Sequence, residues 1–511
     1  MELSAADRQQ LAERGIPQEE IARQLDLHRA PPPPTRLVRA CQLGDGIVRL
    51  EPDRRQELAR TYRRAADSGR FGKFVPASGA ATRMFRDLLA ARAGDDDEAA
   101  DRFFSNLHRF AFRNHLASTL GVDPEALERL ARRDPAKVLA ALLDDTPDET
   151  ALGFASIPKG LVPFHRSDGE GRTAAEEHLR ESAELATDSR GRCRVHFTVP
   201  LDRETSFRQA LDGLSERVGG ELGVQFLIGT STQSPATDTV AADLEGQPFR
   251  DADGGLVFRP GGHGALIGNL GALDIDLVFI KNIDNILPLE RRPRVVHWKQ
   301  VLGGLLLELD ERIAEILRRC ESEENDPQWL DSALDFAQRQ LGLAEADAQR
   351  EAAAADQRAF LQTWLDRPLR ICGVVPNTGE PGGGPFWVED AWGRLGRQIV
   401  EPAQVDLRDP AQADLFLGST HFNPVDVVCR LRSHRGKPYD LEAYVDPNTA
   451  FVTRKTLDGR PLQALERPGL WNGSMAGWNT LFVEVPGETF APVKTVFDLL
   501  RPEHQPSEDL G

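Results

Sequence analysis

Residues 72–86 read Gly-Lys-Phe-Val-Pro-Ala-Ser-Gly-Ala-Ala-Thr-Arg-Met-Phe-Arg, and this stretch decides how the rest of the chain is interpreted. Residues 73–77 are typical of a short buried strand, and the small residues at 78–81 lead into a helical pattern. Such a strand–loop–helix can present backbone N–H groups and a helix N-terminus to an anion. Arg83 adds a forked donor that suits phosphate. The stretch alone leaves two interpretations open, a phosphate-binding loop and a strand-to-helix turn whose small residues permit close packing.

Composition narrows the classes of protein to consider. The 511 residues can form two or three domain-sized cores, and 40% apolar with 28% charged residues is typical of a globular protein. A formal net charge of −18 argues against a general nucleic-acid binder. The five cysteines form no CxxC pair, which argues against a zinc site and a disulfide framework. We find no signal-peptide core and no apolar run of about 18 residues, so we expect a cytoplasmic protein without a membrane partner.

The order of elements predicts an α/β fold. Residues 194–199 alternate like a strand, 203–218 read as a helix and 224–228 as a second strand, the pattern of a parallel sheet. Residues 1–30 are helical, and the acidic, helical residues 94–150 read as an insertion. The predicted domains are a helical N-terminal segment at 1–68, an α/β core at 69–300, a helical segment at 301–368 and a mixed α/β part at 369–511.

Two further motifs carry charged groups. Pro158-Lys159 places an ammonium group at a rigid turn, although an ordinary surface lysine is the alternative. The apolar residues 277–280 predict a buried strand, and Asn282, Asp284 and Asn285 follow its carboxyl end, where ligands bind in open α/β sheets. An aspartate flanked by amides suits Mg²⁺ held together with phosphate oxygens, and we favour this over an Asx-turn.

A glycine-rich motif lies between these strands. Residues 260–264 read Pro-Gly-Gly-His-Gly, and the glycines permit close backbone approach to a ligand or positive φ values. His263 has no apolar bulk among its sequence neighbours, although a tight hairpin with an exposed histidine is an alternative. Gln233 lies in a preceding polar stretch, for which turn and capping chemistry is an equal alternative.

The motifs together resemble a known group of enzymes. Thr82-Arg83, Pro158-Lys159, Pro-Gly-Gly-His-Gly, Asn-x-Asp-Asn and the late Pro-Val-Lys494-Thr follow the order of the UDP-sugar pyrophosphorylase branch of the sugar-phosphate nucleotidyltransferases. More closely, residues 70–505 resemble a bacterial domain-of-unknown-function family that is distantly related to that branch. The resemblance implies a Rossmann-like, GT-A-type mixed sheet flanked by helices, with a helical N-terminal segment and helical insertions.

The resemblance also implies an activity. A nucleoside triphosphate, with UTP favoured by the Pro-Gly-Gly-His-Gly motif, would join a sugar 1-phosphate in the presence of Mg²⁺ and release pyrophosphate. The alternatives are a non-catalytic nucleotide-sugar-binding or regulatory protein on the same fold, and a GT-A-type glycosyltransferase. The presence of Lys159, Asp284 and Lys494 favours the nucleotidyltransferase, because a binding module need not keep both lysines and the acid.

The resemblance implies a role for each matching position. The expected catalytic residues are Arg83, Lys159 and Lys494, with Asp284 as the metal ligand. The expected nucleotide-binding residues are Ser78, Gly79, Ala80, Thr82, Gln233, Gly261, Gly262, His263 and Gly264. The expected substrate-binding residues are Asn282, Asn285, Asn377, Glu466 and Asn472. The loop departs from the usual pattern by carrying alanines where glycine is common.

Overall fold

The structure is a computed structural model that describes residues 3–67, 69–77, 79, 81–146, 150–167, 169–322, 326–379, 382–390 and 393–506, without the side chains of residues 424 and 425. The chain divides into two compact units. The first unit comprises residues 1–58, 233–278 and 302–485, and the second unit comprises residues 59–232, 279–301 and 486–511.

Most helices lie in the N-terminal segment, in the predicted insertion, between strands of the predicted α/β core and in the predicted helical segment. The helices are α1 Ala5–Arg14, α2 Gln18–Arg29, α3 Pro52–Ala66, α4 Arg86–Ala93, α5 Asp97–Ser105, α6 Arg113–Thr119, α7 Pro124–Arg133, α8 Pro135–Leu143, α9 Ala174–Ala186, α10 Glu204–Leu222, α11 Ile267–Gly271, α12 Arg292–Cys320, α13 Pro327–Arg339, α14 Ala354–Leu365 and α15 Pro410–Leu417.

The strands are β1 Arg36–Ala40, β2 Gln42–Leu43, β3 Gly46–Val48, β4 Phe71–Pro76, β5 Pro163–Ser167, β6 Glu170–Thr173, β7 Arg192–Val199, β8 Gln225–Thr232, β9 Thr239–Val240, β10 Phe258–Arg259, β11 Leu277–Lys281, β12 Leu369–Pro376, β13 Gly384–Glu389, β14 Leu395–Val400, β15 His421–Arg430, β16 Phe451–Leu457, β17 Arg460–Glu466 and β18 Asn479–Glu484. Helices separate β3 from β4, β6 from β7 and β7 from β8, whereas β12, β13 and β14 follow one another with no α-helix among the described residues between them.

The second unit is built on a parallel sheet, as the strand–helix–strand pattern predicts. Strand β7 pairs in parallel with β4 on one side and with β8 on the other, and α10 connects β7 to β8. Helix α10 ends at Gly223, whose φ of 66° is the left-handed conformation that glycine adopts readily. The residues that follow β4 and β11 therefore lie at the carboxyl ends of strands, where α/β sheets bind ligands.

The first unit contains a mixed sheet. Strand β12 pairs in parallel with β18 and antiparallel with β15, and β18 pairs in parallel with β3. All but the last residue of β12 are buried, because its apolar side chains lie on both faces of the sheet. The predicted α/β class with a mixed sheet and flanking helices is thus confirmed.

The predicted helical segments are also present. Helices α1 and α2 lie in the N-terminal segment and are separated after Gly15, and their apolar faces pack on Val240 and Ala242 within the first unit. The insertion contains α5 to α8 around a group of phenylalanines, in which the rings of Phe110 and Phe112 stack at 5.0 Å. Among the described residues, no helix combines the length and apolar character needed to cross a bilayer.

Thr173 and Glu176, at the start of helix α9, have the sequence spacing that predicts a capping box. Thr173 is the N-cap of this helix and accepts a hydrogen bond from the backbone N–H of Glu176, as the spacing predicts. In a capping box the Glu176 carboxylate would also accept from the backbone N–H of Thr173. Here that carboxylate accepts hydrogen bonds from Arg180 and Arg217 instead. The N-terminus of α9 is therefore held by one side-chain cap and a separate ion-pair group.

Candidate active site

The loop after β4 is bonded to the segment that carries Lys159. The backbone N–H of Ala81 donates to Ile157 O at 3.0 Å, and that of Lys159 donates to Gly79 O at 3.3 Å. A methyl group built on Gly79 would meet no atom within 4 Å, so the space beside this residue is open. Ser78 and Ala80 lie outside the described residues. Two motifs that are about 80 residues apart in sequence are thus neighbours in the second unit.

The helix after this loop begins later than expected. Residues Ala81–Arg83 form a 3₁₀ turn, and α4 starts only at Arg86, because the buried Met84 and Phe85 first anchor the chain in the core. Thr82 uses its hydroxyl to donate to Ala155 O at 2.8 Å. Arg83 is exposed and makes no hydrogen bond or ion pair with the described residues. The helix expected from Met84 therefore begins two residues later, after a tighter turn, while Arg83 remains accessible to an anion.

Three predicted site residues converge in the second unit. The Nζ atoms of Lys159 and Lys494 lie 3.1 and 3.2 Å from the same oxygen, Oδ2 of Asp284. Lys159 also donates to Val493 O. The side chains of Lys159 and Asp284 are each 13% exposed, whereas that of Lys494 is 65% exposed. We call Lys159, Asp284 and Lys494 the lysine–aspartate cluster; it holds two cations on one carboxylate at a partly open position.

The charges of this cluster depend on one another. Burial alone raises the pKa of Asp284, but the two ammonium groups outweigh it, so the pKa lies below its ordinary value. Burial lowers the pKa of Lys159, and the Asp284 carboxylate opposes this change. At neutral pH the carboxylate is ionised, and removal of it would leave Lys159 as a desolvated cation.

One oxygen of Asp284 is left without a protein partner. Oδ1 is buried and accepts no hydrogen bond from any described residue, while Oδ2 serves both lysines. A buried, unpaired carboxylate oxygen is costly unless a ligand or cation completes it. Within the described ranges, no group of three or more His, Cys, Asp or Glu side chains is placed to hold a metal ion. The residues present therefore fit Mg²⁺ held by one carboxylate and by substrate phosphates, rather than a cage of protein ligands.

The C-terminal segment fixes Lys494 in place. The backbone N–H of Val493 donates to Asp284 O at 3.0 Å, and that of Ala491 donates to Asn285 Oδ1 at 3.2 Å. Asp498 Oδ2 accepts from the backbone N–H groups of Lys494 and Thr495 at 2.8 and 2.7 Å. The sequence motif that contains Lys494 continues into Asp498, to which no role was assigned, although Thr495 and Asp498 have the spacing of a capping box and form one here.

The two asparagines beside Asp284 have different surroundings. Asn285 is buried and braces residue 491, whereas Asn282 is half-buried. The carbonyl of Asn282 accepts from the backbone N–H of Asn285 at 3.0 Å, which closes a turn around Asp284. This turn directs the aspartate towards the lysines, and metal binding by Asp284 stays a prediction. Substrate contact by Asn282 and Asn285 stays a prediction.

The Pro-Gly-Gly-His-Gly residues lie in the first unit, where glycine is required by packing. A Cβ atom would lie 2.5 Å from Thr237 O at Gly261 and 2.0 Å from Pro468 O at Gly264. Gly262 has a φ of 69°, which favours glycine. With its amide oriented to satisfy both groups, Gln233 accepts from Gly261 N–H at 2.7 Å and donates to Gly262 O at 3.3 Å. The glycines and Gln233 thus form one local structure.

His263 is supported by a distant tryptophan. Its ring stacks on Trp471 with centroids 4.4 Å apart, and its Nδ1 accepts from the backbone N–H of Leu470 at 2.9 Å. Burial lowers the pKa of His263, so the imidazole is neutral and carries its proton on Nε2. The sequence neighbours of His263 lack apolar bulk, but Trp471 supplies it from more than 200 positions away.

The remaining expected substrate residues are also in the first unit. Asn377 is exposed, and its Oδ1 accepts from Gly379 N–H at 2.9 Å, which is turn chemistry. Glu466 accepts from Lys455 Nζ at 3.0 Å. Asn472 is 2% exposed and donates to Gln404 at 3.0 Å. Their roles in substrate binding stay predictions.

Solved structures of similar backbone come from trypanosomatid parasites. The UDP-N-acetylglucosamine pyrophosphorylase of Trypanosoma brucei is 14% identical with a TM-score of 0.49, and 98% of this chain aligns with 79% of that one. The UDP-glucose pyrophosphorylase of Leishmania major is 13% identical with a TM-score of 0.44 over the same shares of the two chains. Identities this low do not carry a substrate from those proteins to this chain.

Sequence comparison identifies a family instead. No curated protein matches the chain. Residues 4–505 match the family described as Domain of unknown function (DUF4301), which covers almost the whole sequence. The chain therefore belongs to the DUF4301 family.

Proposed function

We propose that this protein is a nucleotidyltransferase that joins a nucleoside triphosphate, UTP by preference, to a sugar 1-phosphate and releases pyrophosphate. The observation that carries the proposal is the lysine–aspartate cluster. Two lysines from distant parts of the chain meet on one oxygen of Asp284, while the other oxygen is buried and unpartnered. This combination suits phosphate oxygens and a divalent cation at one place.

The reaction needs little covalent chemistry from the protein. An oxygen of the sugar 1-phosphate attacks the α-phosphorus of the triphosphate and forms a new P–O bond. The bond between the α-phosphorus and the bridging oxygen breaks, and pyrophosphate leaves with the electron pair. Because the attacking phosphate is already ionised, no strong general base is required. Positioning and charge stabilisation then account for most of the rate.

Different residues of the second unit would bind the phosphates and stabilise the developing charge. Lys159, held by Asp284 and Val493 O, would neutralise charge near the reacting phosphorus. Lys494 is mostly exposed and would reach the phosphate groups of a bound substrate, while Arg83 and the loop residue Gly79 would bind the triphosphate. Asp284 Oδ1 would hold Mg²⁺, which when bound neutralises phosphate oxygens.

A pyrophosphate-release assay tests the proposal. The full chain would be incubated with each of the four common NTPs, Mg²⁺ and a panel of sugar 1-phosphates. We expect release to require both substrates and to be greatest with UTP. Release that is absent with every pair, in a protein that still binds nucleotide sugars, would contradict the proposal and indicate a binding protein.

A further inference from the structure

The first unit contains a cavity of about 1070 Å³ that shares no residue with the lysine–aspartate cluster. This volume slightly exceeds the usual range of small-molecule sites, about 300–1,000 Å³. Its walls come from the start of β1, the loop after α13, strands β13 and β14, residues 443–449 and the start of β18. The proposed steps at the lysine–aspartate cluster do not use this space, and Asn472 is the expected substrate-binding residue that lines it.

Three buried side chains of the wall carry unsatisfied polar atoms. Arg397, Trp478 and Asn472 are 7%, 4% and 2% exposed. Arg397 Nε, Trp478 Nε1 and Asn472 Oδ1 make no hydrogen bond with any described residue. An unpaired buried polar group costs about 1–3 kcal/mol, and a ligand that completes several of them recovers that cost. The wall thus offers two donors and one acceptor that the protein itself does not satisfy.

The carboxylates of the wall do not neutralise its deep side. Glu389 pairs with Arg36 at 2.7 Å and Asp390 pairs with Arg394 at 2.5 Å, and all four residues line the cavity. The other two acidic residues of the wall, Glu345 and Asp446, are half-buried. No carboxylate of the wall is as buried as Arg397.

The buried guanidinium groups keep their charge. Arg397 donates to Gln340 O at 3.0 Å and forms no ion pair with a carboxylate of the described residues. Burial lowers its pKa to about 10, so it remains cationic at neutral pH. Behind the wall, the fully buried Arg370 donates to Thr480 Oγ1 and to Trp471 O, which are neutral. The deep side of the cavity therefore carries positive charge that no carboxylate of the described residues contacts directly; Asp45, which acts on Arg397 from farther away, is itself paired with Arg39.

We propose that this cavity binds a small molecule that carries an oxyanion together with hydroxyl groups. The oxyanion accepts hydrogen bonds from Arg397 and Trp478, and a hydroxyl group donates to Asn472 Oδ1. A guanidinium fork matches both phosphate and carboxylate, so either group satisfies the wall. The proposal stands on the cavity alone and does not depend on the nucleotidyltransferase reaction.

Isothermal titration calorimetry of the full chain tests the site. The probes are glucose 6-phosphate, gluconate, inorganic phosphate and glucose; none of them is a substrate of the proposed reaction. We expect glucose 6-phosphate or gluconate to bind at least about tenfold more tightly than glucose, since a hydrogen bond to a charged group is worth about 1.5–3 kcal/mol. The phosphate and carboxylate probes decide which oxyanion the cavity prefers.

Variants show whether binding occurs at this wall. Trp478→Phe keeps the ring and removes the Nε1 donor, and Arg397→Lys keeps the charge and removes the fork; each is expected to weaken binding about tenfold. Arg408→Met, at a side chain that is 90% exposed, and Asp284→Asn should bind as the wild type does. If Arg397→Lys does not fold, Trp478→Phe decides alone. Wild-type affinity in the folded wall variants, or no binding of any probe at millimolar concentration, would overturn the proposal.

Discussion

Two ion clusters in the second unit each combine two lysines with one carboxylate, but they differ in their exposure to solvent. In the lysine–aspartate cluster, Lys159 and Lys494 share one oxygen of Asp284. In the second cluster, Lys73 and Lys299 share Oε1 of Glu181, with Lys73 at 2.5 Å. We call Lys73, Lys299 and Glu181 the core cluster. Each cluster places two ammonium groups on one carboxylate oxygen.

The clusters differ in exposure. Every side chain of the core cluster is at most 1% exposed, whereas Lys494 is 65% exposed and Asp284 keeps an unpartnered oxygen. A sealed cluster can act only on the stability and electrostatics of the fold, because no ligand reaches it. An open cluster with an unsatisfied oxygen can bind substrate. Exposure to solvent and an unpaired hydrogen-bonding atom thus distinguish a candidate ligand-binding ion cluster from one that only stabilises the fold.

The largest expected effect is on stability, from Glu181→Gln. The substitution removes the carboxylate that Lys73 and Lys299 share, and breaking a buried pair in this way costs about 3–5 kcal/mol. Denaturant unfolding followed by circular dichroism measures the loss. The control is Glu128→Gln, whose pair with Arg113 is partly exposed and should cost less than about 1 kcal/mol. Equal losses in the two variants would remove the distinction between the clusters.

The next effect is on turnover, from Lys159→Met. The variant should lose about 3 kcal/mol of transition-state stabilisation, roughly a hundredfold in kcat, with little change in unfolding free energy, because Lys494 still neutralises Asp284. Pyrophosphate release measures kcat, and Lys137→Met, at an exposed lysine, is the control. A fully active Lys159→Met protein would refute the role assigned to this lysine.

Asp498→Ala probes the support of the open cluster. Its carboxylate orders the backbone at Lys494 and Thr495, so its loss should misplace the Lys494 ammonium and lower kcat by between about tenfold and a hundredfold. The same assay applies, with Glu488→Ala in the same C-terminal segment as the control. Unchanged kcat would show that Lys494 needs no such support.

The smallest effect per step of the measurement, about 1 kcal/mol for each pH unit, is a pH dependence of stability in the core cluster. Burial lowers the pKa of Lys73 to about 7, although Glu181 opposes this change. Above that pH the folded state releases a proton that the unfolded state retains up to its ordinary pKa. The free energy of unfolding should therefore rise between about pH 7 and pH 10, by about 1 kcal/mol per unit from this group. Denaturation at several pH values should show this slope in the wild type and its loss in Lys73→Met; equal slopes would contradict the assignment.

Local patterns predict much of the fold. The alternation in β7, the helical spacing in α10 and the apolar run of β11 each depend on neighbouring residues, so the sequence indicates them directly. The later start of α4 was not predictable, because the burial of Met84 and Phe85 depends on the surrounding core. Tertiary packing overrides local preference at such boundaries.

The residues of the candidate site can be predicted where their motifs follow the order seen in the family that the sequence resembles. Contacts outside these motifs cannot be predicted in this way. The meeting of Lys159, Asp284 and Lys494 follows from the resemblance. The stack of Trp471 on His263 does not, since neither sequence neighbourhood indicates the other. Likewise, Lys73 lies in a strand predicted as buried, but its partner Glu181 is 108 positions away. Side-chain partners at such separations are set by the fold, which local sequence does not specify.

Following the α-phosphate itself tests whether this protein transfers a nucleotidyl group to a sugar 1-phosphate. The full chain would be incubated with α-labelled UTP, Mg²⁺ and the sugar 1-phosphate that gives the greatest pyrophosphate release, and the products separated by chromatography. We expect the label to appear in a nucleotide sugar, in an amount equal to that of the pyrophosphate released. We expect the Lys159→Met protein to form almost no labelled nucleotide sugar. Label found only in unreacted UTP, or in UMP without nucleotide sugar, would contradict the proposed transfer.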